Sequence, residues 1–297
     1  MRHYWFAAAA LATVAVAAGS AAAQATQRPA PAASAAPRIV PAPTAEERAR
    51  LVAAAERGRL LFELARAAQL TTQDMLARLP DPNAAGIKGW VATPEGNAMT
   101  VIYYADGADG PVAVYRGQIA GGRIAARDVF TGADRPALTA TQRRMAAART
   151  AVEGLETRPC SGDFNVFVIP PASAEAPLEV YKLSPQPARG QFPLGGHFLA
   201  TVAPDGSVAS TRAFTNRCLD ITAPAEATRL AGAPTPPPVA VTHLLDPLPT
   251  EIHVFLSLWM NRPMLVATGN PDRLWTIARG RIGLVGAAQT PPPGPGR

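Results

Sequence analysis

The chain has 297 residues, a formal net charge of +6, 48% hydrophobic residues and 17% charged ones. That length suits one large domain or two small ones. The modest basic excess does not mark a nucleic-acid binder, whose arginines and lysines would cluster on one element between aromatics. Here the arginines are scattered along the chain, and Lys88 and Lys182 are the sole lysines.

Residues 1–25 read as a secretory signal peptide. Arg2 supplies the positive start, residues 6–18 form an apolar run, and Ala23-Gln24-Ala25 gives the small-x-small cleavage site. The run is shorter than the roughly 20 residues of a membrane-spanning helix, and no later segment is longer, so no membrane span is expected. Cleavage near Ala25 would place the mature protein in the periplasm or outside the cell.

Residues 26–43 are rich in Pro and Ala and lack an apolar period, as a disordered linker would; residues 289–297 read as a disordered Pro-rich tail. Between them, residues 44–135 read as a helix plus a β-meander. Residues 136–288 read as a helix plus an antiparallel sheet, either separate from the first part or continuous with it. The Pro run at 234–238 breaks this second part.

The first helix is announced by Thr44-Ala45-Glu46-Glu47, a capping box in which the threonine hydroxyl and the glutamate carboxylate each bind a free backbone N–H of the first turn. Leu51, Ala55, Gly58, Leu61, Ala65 and Ala68 then recur at helical spacing. Thr71-Thr72-Gln73-Asp74 predicts a restart into a short second helix, ended by Pro80 and Pro82. Thr139 and Gln142 predict another capped helix, leaving at Gly154.

Most other segments alternate with period two. Residues 99–105, 111–119, 123–130, 164–169 and 178–183 are rich in Val, Ile, Tyr and Phe and read as strands. Segments 196–202 and 207–214 flank Ala203-Pro204-Asp205-Gly206, a hairpin turn. The C-terminal strands are expected at 240–245, 251–259, 264–268, 273–277 and 281–285. Short connections favour antiparallel pairing, and the fold class expected is α+β: N-terminal and central helices packed on mainly antiparallel β-sheet. Ile119-Ala120-Gly121-Gly122-Arg123-Ile124 and Ile277-Ala278-Arg279-Gly280-Arg281-Ile282 differ only where Gly121 faces Arg279. This reads as one favourable turn reached twice, the rival being a duplicated meander.

Cys160 and Cys218 form an even pair in an expected oxidising compartment, which favours a disulfide between them over a reactive pair. Three histidines remain after leader removal: His197, His243 and His253. If residues 251–259 are a strand, Glu251 and His253 project to one face, about 7 Å apart. His197, His243 or Asp246 would then supply a third ligand, and such a set suits zinc with an open position for water. The competing expectation is that these are strand polar residues and a packed core histidine. Trp90, Trp259 and Trp275 read as core or as the wall of a ligand groove. No nucleophile elbow, phosphate loop or dinucleotide fingerprint occurs.

The segments Gly195-Gly196-His197-Phe198, Arg212 to Cys218, Thr242-His243-Leu244 and Glu251-Ile252-His253-Val254-Phe255 resemble uncharacterised exported bacterial proteins of similar size. The resemblance covers most of the mature chain. It implies a shared layout of leader, helix, sheet and cysteine pair, and it carries no activity and no functional residue. The expectation is therefore an exported, non-catalytic protein that binds an envelope partner or a small ligand through its C-terminal sheet. The alternative is a metal-assisted hydrolase that uses His243, Glu251 and His253.

Overall fold

The threonine at 44 opens α1 (Ala45–Arg78) as the sequence requires: its hydroxyl accepts from the Glu47 N–H at 3.1 Å, and the Glu47 carboxylate accepts from the Thr44 N–H at 2.8 Å. The computed structural model describes residues 40–222 and 237–285. The expected signal peptide, most of the expected linker, most of the 234–238 break and the expected C-terminal tail lie outside the described residues. α1 is 34 residues long, about 50 Å at the usual helical rise. The expected restart at Thr71 is absent. Thr71 is buried in a continuous helix and its hydroxyl donates to the Ala67 carbonyl one turn back at 2.8 Å, the bond a helix-interior threonine makes.

Strands β1 (Ile87–Glu95), β2 (Ala98–Ala105), β3 (Val112–Ala120) and β4 (Arg123–Val129) form an antiparallel meander in that order. β1 escaped the sequence reading because Lys88, Gly89 and Pro94 interrupt its alternation. As an edge strand it tolerates the missing N–H of Pro94. α2 (Ala140–Glu153) starts at Thr139 with the expected box, the Thr139 N–H donating to Gln142 Oε1 at 3.0 Å.

A second antiparallel sheet follows, with β5 (Asn165–Val168), β6 (Leu178–Leu183), β8 (Phe198–Val202) and β9 (Val208–Ala213) in the order β5-β6-β8-β9. Between β6 and β8 the chain detours through β7 (Gln191–Pro193), which pairs with β10 (Asp220–Thr222). α2 packs between this sheet and the meander, where Val91, Ile102, Met145, Val152 and Val180 share one core. Cys160 and Cys218 are bonded, with their Cα atoms 5.4 Å apart, and tie the approach to β5 to the exit of β9.

The third sheet contains the main correction to the sequence reading. It is built from β11 (Val239–His243), β12 (Met264–Thr268), β13 (Arg273–Ala278) and β14 (Arg281–Leu284), and β11 runs parallel to β12. The crossover between them is a helix, α3 (Glu251–Trp259), where a strand was expected. Residues 252 to 257 are all buried, so the segment's apolar alternation reflects burial on every side. Periodicity cannot separate a buried helix from a strand in such a run. α3 lies against α1 at Gly58, where a Cβ atom would fall 2.5 Å from Val254 Cβ; only a glycine permits the approach. Arg273 on β13 then bridges to Glu47 in the first turn of α1 at 2.9 Å. The architecture of the described residues is thus α+β, three helices on mostly antiparallel sheets with one disulfide.

Candidate ligand-binding site

The parallel β11–α3–β12 unit creates an end where a strand finishes and a helix begins. Ligands in α/β units commonly bind beyond the carboxyl ends of parallel strands. His243 is the last residue of β11, and α3 starts eight residues on, after Thr250. The intervening turn returns Asp246 to His243, whose Nε2–H donates to Asp246 Oδ2 at 2.8 Å. The same oxygen accepts from Arg212 of β9 at 2.9 Å. Partial burial acts to raise the Asp246 pKa, but the His243 bond and the Arg212 charge outweigh it and hold the carboxyl below its usual range.

His253 occupies the third position of α3, where α1 has Glu47 and α2 has Gln142. Its imidazole does the same work: Nδ1 accepts from the Thr250 N–H at 3.0 Å. That bond assigns the ring proton to Nε2. Burial, and then the neighbouring His243, push its pKa down to about 3, so the ring is neutral at physiological pH. The two imidazoles meet edge to face with their centres 4.7 Å apart. With His243 Nε2–H given to Asp246, a neutral His243 keeps Nδ1 as an acceptor, and His253 keeps Nε2–H as a donor.

Both rings line a cleft of about 450 Å³, within the size range of small-molecule sites. Its inner wall includes Leu194, Phe214, Ile252 and Leu256, and its hydroxyls belong to Thr215, Thr242 and Thr250. Leu219, Leu244 and Leu245 stand at its edge with 58%, 80% and 44% of their surface exposed. Three large apolar side chains are thus exposed around one opening. Arg217 adds a cation to the same wall.

The remaining sequence candidates lie elsewhere. His197 is 1% exposed and sits beside the disulfide: its Nδ1 accepts from the Ser184 N–H at 3.2 Å and its Nε2–H donates to the Pro193 carbonyl at 3.0 Å. Burial lowers its pKa to about 4. Both ring nitrogens are therefore committed to the backbone. Glu251 is on α3, not on a strand, and residues two apart on a helix do not share a face. Its carboxylate accepts from the Tyr181 hydroxyl at 2.9 Å, and it lines a different cleft, with Arg50 and Arg57. Among the described residues no group of three or more His, Cys, Asp and Glu side chains is placed to hold a metal ion. Trp275 is core, 1% exposed, while Trp90 and Trp259 are partly exposed.

Sequence reasoning missed Arg212 and Thr250. The Thr250-x-x-His253 spacing was the available signal for both the helix start and the histidine's orientation. No protein family, no curated protein and no solved structure matches the chain.

Proposed function

We propose that the protein is an exported, non-catalytic binding protein that holds a small amphipathic molecule in the cleft between β11 and the start of α3. The observation that carries this reading is the pairing of an apolar, solvent-exposed rim with the Asp246–His243–His253 cluster on the same wall. The hydrocarbon part of the ligand lies against Phe214, Ile252 and Leu256. A carboxylate head group accepts from the Nε2–H of His253 and meets the charge of Arg217, whereas a hydroxyl head group would also donate to the Nδ1 of His243. The Cys160–Cys218 disulfide supports an oxidising compartment, in keeping with the leader read from the sequence.

Decanoate is a suitable probe, and calorimetry on the full mature chain measures its binding. The reading expects a Kd of about 100 μM or tighter, weakened by about tenfold or more in Leu244→Asp, whose parent side chain is too exposed to support the fold. Binding that is absent, or equal in the variant, contradicts it. A metal-assisted hydrolase remains the second reading, favoured by the approach of His243 to His253 but not by Glu251, which faces Tyr181. Stoichiometric zinc in the purified protein, lost in His253→Ala, would overturn the first reading in favour of the second.

A further inference from the structure

On the opposite side of α3 from His253 lies a second cleft of about 370 Å³, and none of its lining residues is charged. This departs from the rest of the surface: the ligand cleft above contains Arg217, and the cleft beside Glu251 contains three arginines and three carboxylates. Five aromatic rings face the uncharged one: Trp90, Phe167, Phe192, Phe255 and Trp259. Four side-chain amides, those of Gln69, Gln73, Asn165 and Gln186, complete its polar lining together with two hydroxyls.

The aromatic planes are fixed. Phe167 meets Trp90 edge-on, ring centres 5.5 Å apart, and the Arg149 guanidinium sits 5.9 Å from the same indole. Trp259 stacks on Phe255 at 5.9 Å and receives the edge of Phe62 at 6.2 Å. Both indoles line the cleft and stay partly exposed. The amides of Gln73 and Asn165 have no side-chain hydrogen bond among the described residues, leaving a donor and an acceptor on each for a ligand.

We propose that this cleft is a binding site for a neutral carbohydrate of one or two pyranose rings. A sugar offers an apolar C–H face and a periphery of hydroxyls that both donate and accept. Rigid aromatic faces match the first; amides, which carry donor and acceptor on one planar group, match the second. A formal charge on the ligand would find no partner here and would be desolvated without compensation. The site shares only Leu256 with the decanoate cleft, so the two proposals fail independently.

The test is calorimetric titration of the full mature chain with cellobiose, maltose and chitobiose, and with a uronic-acid disaccharide as the charged control. At least one neutral disaccharide is expected to bind with a Kd of about 1 mM or tighter. Trp90→Ala and Gln73→Ala are each expected to weaken it by about fivefold or more, while Leu244→Asp leaves it unchanged. Gln73 is exposed, so its substitution leaves the fold intact, and an unchanged melting temperature verifies this. The proposal is overturned if no neutral disaccharide binds, if the charged disaccharide binds equally well, or if Gln73→Ala binds as the parent does. A synthetic peptide of residues 26–43 that occupies the cleft in place of sugar would also overturn it.

Discussion

Lys182, one of only two lysines, is 3% exposed. Its Nζ donates to the carbonyls of Val152, Glu153 and Leu155 at 3.1, 3.5 and 3.3 Å, and it lies 4.7 Å from the centre of the Phe164 ring. These carbonyls cluster where α2 ends: those of Val152 and Leu155 also accept from the Leu155 and Thr157 N–H groups at 3.2 and 2.8 Å, so β6 adds a second donor to them through one side chain. Burial favours the neutral amine and lowers the Lys182 pKa. Lys182→Met keeps the side chain's length and apolar stem but removes the charged donor from all three carbonyls, and should destabilise the protein by about 1–3 kcal/mol. Urea denaturation checks this; an unchanged midpoint would mean that these bonds hold nothing. No sequence pattern announces such a role, because the lysine and the helix end it serves come together only in the fold.

The elements that were legible in the sequence are those whose signals are local. Thr44–Glu47 and Thr139–Gln142 predicted two helix starts, and Pro204-Asp205-Gly206 predicted a turn in which Gly206 has φ +87°. The start of α3 uses the same device with His253 in place of an acidic or amide side chain, which hid it. Its buried stretch, residues 252–257, then imitated a strand. The resemblance between residues 119–124 and 277–282 is also explained at this scale. Each is a two-residue hairpin turn, Gly121-Gly122 and Arg279-Gly280, with positive φ at both central positions. Such turns favour Asn or Gly at the first position, yet Arg279 sits there at φ +50° and is exposed. Arg279→Asn should therefore stabilise the protein by about 0.5–1 kcal/mol, read as a higher melting temperature. A lower melting temperature would assign Arg279 contacts that outweigh its backbone strain.

At the scale of the whole molecule, two histidines in separate regions make stability depend on acid. His197 and His253 are buried neutral, with pKa values of about 4 and about 3 against 6.5 for a free imidazole. Unfolded chains bind these protons first, so the contribution is complete above about pH 6.5 and is lost as pH falls toward 4 and 3. The slope approaches about 1.4 kcal/mol per pH unit for each histidine. Glu47 and Asp246, held below the usual carboxylate range, add to the loss at lower pH still. Urea midpoints measured between about pH 7 and pH 4.5 should fall steadily; a flat profile would place these rings in water. His197, His243 and His253, grouped as ligands from sequence alone, thus divide into a structural one beside the disulfide and a pair at the cleft. That division was out of reach while residues 251–259 were read as a strand.

The same division supplies the most direct test of the binding site. Imidazole nitrogen resonances of the chain from residue 26 onward, recorded by NMR during titration with decanoate, report on all three rings in one sample. Binding in the cleft predicts saturable shifts at His243 and His253 with His197 unmoved. Shifts at none of them, or at His197 equally, would contradict it.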